Sequence, residues 1–178
     1  NIFLANFKYS LFNENISSDF EIFFLNSPQN SKKTSLKFLI DNSFSFPKNL
    51  NKNNTIFSKD NIFYLDNENN IFKISKKGNI RIRVRSKKNL NNLAYSIVGI
   101  PLGYFFLLKG YYVNHSSIVE KNGTAISFLG HSSTGKSSIS NFLMEKKFKF
   151  IGEDLCIIKR KNIINKNFDG LKLSKEMI

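Results

Sequence analysis

The chain has 178 residues and a formal charge of +14, with 41% hydrophobic and 22% charged residues. That is apolar material for one ordinary domain or two small ones, and it excludes a collagen-like, disulfide-built or wholly disordered polypeptide. The charge invites a polyanionic partner, yet Asn fills about one position in seven and rises together with Lys, Ile and Phe, as A/T-rich codons would supply, so nucleic acid is not expected as a partner.

A chain opening on Asn1 reads as a fragment or a processed product, and no basic stretch followed by an apolar one begins it. Residues 1–88 read as a β-rich N-terminal region. Phe20-Glu21-Ile22-Phe23-Phe24 is a short aromatic strand candidate, and Pro28 to Thr34 a polar loop. Ile62 to Leu65 and Ile71 to Ile74, joined by Asp66-Asn67-Glu68-Asn69-Asn70, predict a hairpin. Lys76-Lys77-Gly78-Asn79 then turns the chain into Ile80 to Arg85, whose strict alternation puts Arg81, Arg83 and Arg85 on one face. That row is either the solvated face of a half-buried sheet or a phosphate-binding strip, and the first is the commoner arrangement.

The character changes after residue 88. Leu93 to Val113 is the strongest apolar run, but Gly99, Pro101, Gly103, Lys109 and Gly110 interrupt it. It predicts a buried helix starting near Pro101 and closed by Gly110 rather than a transmembrane span. Ser116 to Glu120 and Thr124 to Leu129 flank Lys121-Asn122-Gly123, and an Asn-Gly pair between such runs signals a tight hairpin.

The second strand of that hairpin runs straight into Gly130-His131-Ser132-Ser133-Thr134-Gly135-Lys136-Ser137, which fits G-x-x-x-x-G-K-[ST] in full. Gly130 and Gly135 allow backbone conformations closed to other residues, so that successive amides converge on a β-phosphate. The start of the following helix adds its partial positive charge. Lys136 reaches the β- and γ-phosphates, and the Ser137 hydroxyl offers a Mg²⁺ ligand. In that helix Ile139, Phe142 and Leu143 predict an inward apolar face, with Glu145, Lys146 and Lys147 outward.

Glu153-Asp154, between two apolar runs, is the first downstream acidic pair. It is placed to serve a bound Mg²⁺ or to accept a proton, because the strand after such a helix commonly lies beside the loop's own strand. His115, ahead of the hairpin, reads equally as a packing histidine or a group near the phosphates. Cys156, the single cysteine, sits in an apolar stretch and reads as a buried small side chain. No Cys/His cluster has metal-ligand spacing.

Together these residues resemble the HPr kinase/phosphorylase family and its peptide-modifying relatives. The match runs from about Leu107 to Ile158 and comprises Lys109-Gly110, His115-Ser116-Ser117-Ile118-Val119, Asn122-Gly123, the loop Gly130 to Ser137, and Gly152-Glu153-Asp154. Phe168-Asp169-Gly170-Leu171-Lys172-Leu173 is also similar to a segment of the peptide-modifying relatives. The resemblance implies an α/β P-loop kinase domain over 89–178, with a fold like phosphoenolpyruvate carboxykinase and C-terminally incomplete. It implies ATP and Mg²⁺ as cofactors, a protein or peptide serine as phosphate acceptor, a cytoplasmic setting and possible homo-oligomers. By position, Gly130 to Ser137 with Ser138 would hold the nucleotide and Ser137 the metal. Glu153 would take the hydroxyl proton and share the metal with Asp154, and His115 would orient the phosphate region. Glu153 stands where the family has Asp, and Ser138 where bifunctional members often carry an acid, which bears on phosphorolysis. The alternative reading is a non-catalytic ATP-binding module or an inactive kinase fragment.

Overall fold

The computed structural model describes residues 6–25, 33–46, 55–67, 69–86, 92–159 and 163–164. Most of the expected loop from Pro28 to Thr34, and the segment Phe168 to Leu173, lie outside them. The fold is mixed α/β, and it divides into two compact units, Asn1–Gly110 and Tyr111–Ile178.

The first unit is built on a seven-stranded sheet: β1 (Phe7–Leu11), β2 (Glu14–Ser18), β3 (Leu36–Ile40), β4 (Thr55–Lys59), β5 (Ile62–Asp66), β6 (Asn70–Ser75) and β7 (Asn79–Val84). Their order is β1-β2-β3-β7-β6-β5-β4. Strand β3 runs parallel to both β2 and β7; the other pairs are antiparallel. The predicted β5–β6 hairpin and the turn into β7 are both present. Alternation sends Leu36, Phe38, Phe72, Ile74, Ile80 and Ile82 to one face, where all are fully buried.

Helices α1 (Leu93–Val98) and α2 (Ile100–Leu108) are separated at Gly99; α2 packs against β5 and β6, and α1 packs against α2. Pro101 sits in the first turn of α2 and Gly110 follows its end at φ +81°, as the sequence predicts. Leu93, Ile97, Leu102, Phe105 and Phe106 are buried, and Tyr104 meets Phe63 at 4.6 Å between ring centroids. The apolar run at 93–108 thus belongs to the N-terminal unit, and the division falls after Gly110 rather than after residue 88. Lys109 seals the junction of helix and sheet through its 2.9 Å ion pair with the buried Glu14. No helix among the described residues is long and apolar enough to cross a membrane.

Residues 20–24 do not form the expected strand. Their backbone is claimed by local and side-chain partners: Phe20 N–H donates to Ser18 Oγ, Ile22 N–H to the Tyr9 hydroxyl at 2.7 Å, and Leu25 N–H to Ile22 O. With its donors spent on a turn, an aromatic run with strand propensity has no ladder to join.

Arg81 and Arg83 share a face of β7, Arg85 follows just past its end, and two of the three have acidic partners. Arg81 pairs with Asp41 at 3.3 Å, Arg85 with the buried Asp66, and Arg83 lies over the Phe44 ring at 5.1 Å. Hydrogen bonds from the Ser43 hydroxyl and amide, followed by the Arg81 and Arg83 charges, hold the Asp41 carboxyl below its ordinary 3.8. A carboxyl lowered by folding contributes stability above its unfolded pKa and loses that contribution as pH falls through the folded value. Asp41→Asn should therefore lower the denaturant midpoint more at pH 7 than at pH 3, where protonation removes part of the carboxylate's contribution. Equal losses at both pH values would contradict this.

Candidate functional site

The second unit begins with β8 (Tyr112–Asn114), followed by β9 (Ser116–Lys121) and β10 (Thr124–Leu129). Asn122 and Gly123 take φ of +55° and +78°, the turn an Asn-Gly hairpin demands. Helix α3 (Lys136–Glu145) and β11 (Lys149–Gly152) come next, then β12 (Cys156–Lys159) and β13 (Ile163–Ile164). The strands form two small sheets, β10-β9-β11 and β13-β12-β8.

Strand β9 is antiparallel to both its neighbours, so β10 and β11 run in the same direction and end at the same edge. Leu129 pairs with Ser116 there, and Gly152 pairs with Ile118. The loop Gly130–Ser137 leaves from that edge, Glu153 and Asp154 leave from it one strand beyond β9, and His115 precedes β9 at it. The second sheet agrees: one step past the Cys156–Asn114 pair, His115 comes level with Leu155. All the predicted site residues thus gather at one end of this unit.

The acidic strand does not, however, lie beside the loop's own strand as expected. The order is β10-β9-β11, so β11 lies on β9's far side and the outer edge of β10 carries no strand among the described residues. Loop and acids are separated by two strand spacings, about 10 Å. A bulge between Phe150 and Gly152 shifts β11 by one residue. Continued one residue further, the alternation turns Glu153 toward the side of the sheet that α3 covers.

Gly135, at φ +88°, caps α3, whose first turn begins at Lys136. A side chain there would meet no atom within 4 Å, so its requirement is conformational alone. Gly130 differs from expectation. It is needed for close approach, since a Cβ would lie 2.7 Å from Thr134 Oγ1. Thr134 in turn donates to His131 O at 2.8 Å, bracing the loop across its mouth. Ser133 holds φ +63°. Lys136 Nζ rests on the loop's own carbonyls, 3.0 Å from Gly130 O and 2.7 Å from His131 O. Gly130, His131, Thr134, Gly135 and Lys136 of the loop, with Phe128, Leu129 and Ile139, line an open surface depression of about 360 Å³. Ser137 is half-buried and His131, Ser132, Ser133, Thr134 and Ser138 are exposed.

Of the apolar face predicted for α3, only Leu143 is turned partly inward, half-buried. Ile139 and Phe142 are 48% and 54% exposed. Ser140 faces the sheet instead and shares a buried 2.7 Å hydrogen bond with Ser117. Two serines let the helix approach a narrow three-stranded sheet closely, and the bulky residues fall beside the contact rather than within it.

Glu153 is buried, and Asp154 is half-buried at φ +67°. Leu155 N–H donates to Glu153 O at 2.9 Å, closing a three-residue turn of the strained positive-φ kind around Asp154. No sequence signal announces that turn beyond Asp's tolerance of the left-handed region. His115 is exposed. Behind the edge, burial pushes the Cys156 thiol up, with the Ser116 and Ser127 hydroxyls beside it pulling weakly the other way. It is a packed side chain, as expected.

Hydroxyl and carboxylate oxygens suit Mg²⁺. Among the described residues no group of three His, Cys, Asp or Glu side chains could hold a metal alone. A Mg²⁺ bound largely by phosphate oxygens and water needs only one or two protein oxygens, and Ser137, Asp154 and Glu153 fit that role at this edge. No protein-family model, curated protein or solved structure matches the chain.

The loop geometry separates its two glycines. Gly130→Ala and Gly135→Ala should each destabilise by about 1 kcal/mol. Adding Thr134→Ala should recover most of the Gly130→Ala loss and none of the Gly135→Ala loss. Equal recovery of both in denaturant melts would refute the contact assigned to Gly130.

Proposed function

We propose that this chain binds ATP with Mg²⁺ on Gly130–Ser137 and transfers the γ-phosphate to a serine hydroxyl of a protein or peptide, in the manner of the HPr kinase-like P-loop kinases it resembles. The observation that carries the reading is the shared edge, to which strand register brings the glycine-bounded loop, a buried carboxylate and a histidine.

Lys136 exchanges the carbonyls of Gly130 and His131 for phosphate oxygens, which are stronger partners for an ammonium. The loop amides and the start of α3 hold the β-phosphate without moving charge. The Ser137 hydroxyl and the Asp154 carboxylate would hold Mg²⁺, which would supply charge neutralisation as the phosphoryl group is transferred. Glu153 accepts the serine proton as the serine oxygen attacks γ-phosphorus, and the bond from γ-phosphorus to the β–γ bridging oxygen breaks to release ADP. His115 donates to the phosphate region. The separation of about 10 Å between β10 and β11 leaves room for the phosphate chain between loop and base. Such an ATP-dependent transfer belongs in the cytoplasm, and a homo-oligomer is compatible with it.

A second reading, an ATP-binding module without transfer, is favoured by one observation: Glu153 is buried, only 6% exposed, and must open toward substrate to act. The two readings part in one experiment. With millimolar ATP and Mg²⁺ the melting temperature should rise, and Lys136→Ala should abolish the rise. Transfer of labelled γ-phosphate to serine peptides or to water should fall about 10²- to 10⁴-fold in Glu153→Gln, with the thermal shift retained. Unchanged turnover in that variant would remove Glu153 from its role. A thermal shift with no turnover by the parent chain would leave the binding module.

A further inference from the structure

The solvent side of the N-terminal sheet collects cations. Alternation puts Lys37, Lys73, Arg81 and Arg83 on the face opposite the buried core strands. Register sets Lys73 directly across from Arg81, and Lys37 level with Asn79, two residues short of Arg81 on the neighbouring strand. Lys8 joins this row two strands away, since Ser17 pairs with both Lys8 and Lys37. Lys8, Lys37 and Arg81 are exposed.

Like charges directly opposite one another weaken a sheet. Of the acids among the described residues, Asp41 answers Arg81 and Asp66 answers Arg85. The unit as a whole has sixteen Lys and Arg against seven Asp and Glu. Base composition enriches lysine throughout the chain, but it does not set Arg81 opposite Lys73.

We propose that this face docks an acidic polypeptide segment. Charge complementarity selects a polyanion, and the aromatic side chains select against nucleic acid. Single strands bind on open rings that stack with bases. Here Tyr64 lies under Lys73, 5.7 Å from the ammonium, and is met edge-on by Phe46, while Phe44 is buried beneath Arg83. What remains open is Lys8 and Lys37, with Arg81 exposed but shared with Asp41 and Lys73 half-buried over Tyr64, a spread of cations suited to dispersed carboxylates. The inference stands independently of the kinase reading.

The test is binding of a fluorescein-labelled oligo-glutamate peptide to the full chain, read by anisotropy at low and high salt. Lys37→Gln/Lys73→Gln/Arg81→Gln should weaken binding about tenfold and flatten its salt dependence. The control Lys146→Gln/Lys147→Gln/Lys149→Gln, on exposed positions of the other unit, removes the same charge and should change affinity less than about twofold. Equal losses in both variants, no loss in the first, or tighter binding of an oligothymidylate of matching charge would each overturn the proposal. If circular dichroism shows the first variant unfolded, Lys37→Glu alone, at an exposed position, should still weaken peptide binding about threefold or more. An unchanged affinity there would overturn the proposal equally.

Discussion

Strand β9 is paired along both edges, and every candidate group of the second unit takes its place from that pairing. Because both neighbours oppose β9, they run parallel to each other, and the connections that follow them leave at one end of the sheet. Adjacent serines pin the register. Ser117 points to α3 and bonds Ser140; Ser116 points the other way, beside Cys156 of the second sheet. A slip of one residue would invert both contacts at once and send polar groups into the wrong layer. The unit is thus layered as helix, sheet and sheet, with the two hydroxyls marking which face belongs to which partner.

The loop from Gly130 to Ser137 is braced by its own groups. Thr134 crosses the loop to His131 O, Gly130 is wedged against Thr134, and Lys136 lies folded on carbonyls that a phosphate would displace. A loop whose own groups hold its cation loses little on exchanging those partners for a more strongly charged one, which is how preorganised sites limit the cost of binding. The strained turn at Asp154 belongs to the same economy of form: its left-handed backbone bends the chain sharply at the point where two carboxylates leave the sheet edge.

Much of this was legible in the sequence because it depends on local chemistry. The Asn122-Gly123 turn, the loop from Gly130 to Ser137, the alternation of β7 and the Pro101-to-Gly110 helix each declare themselves through residues that tolerate few other conformations. What was not legible depends on partners distant in the chain. Residues 20–24 have strand propensity, but Tyr9 and Ser18 take their donors. The face of α3 follows the narrowness of its sheet rather than its apolar stripe, so Ser140 is inside and Phe142 outside. Placement of β11 beside β9 rather than beside β10 is a choice between two open edges of the hairpin, which no periodicity records. The apolar run at 93–108 went to the first unit because β5 and β6 offer it a broad apolar face.

The account rests on the loop amides and the Glu153–Asp154 turn facing one shared ligand space. Paramagnetic broadening by Mn²⁺·ATP, read amide by amide on the isotopically labelled chain, tests that directly. The account predicts that the signals of Gly130 to Ser137, His115 and Gly152 to Asp154 disappear together, while those of Asn122 and Gly123 at the opposite end of the hairpin persist. Broadening confined to the loop, with Glu153 and Asp154 left sharp, would contradict it.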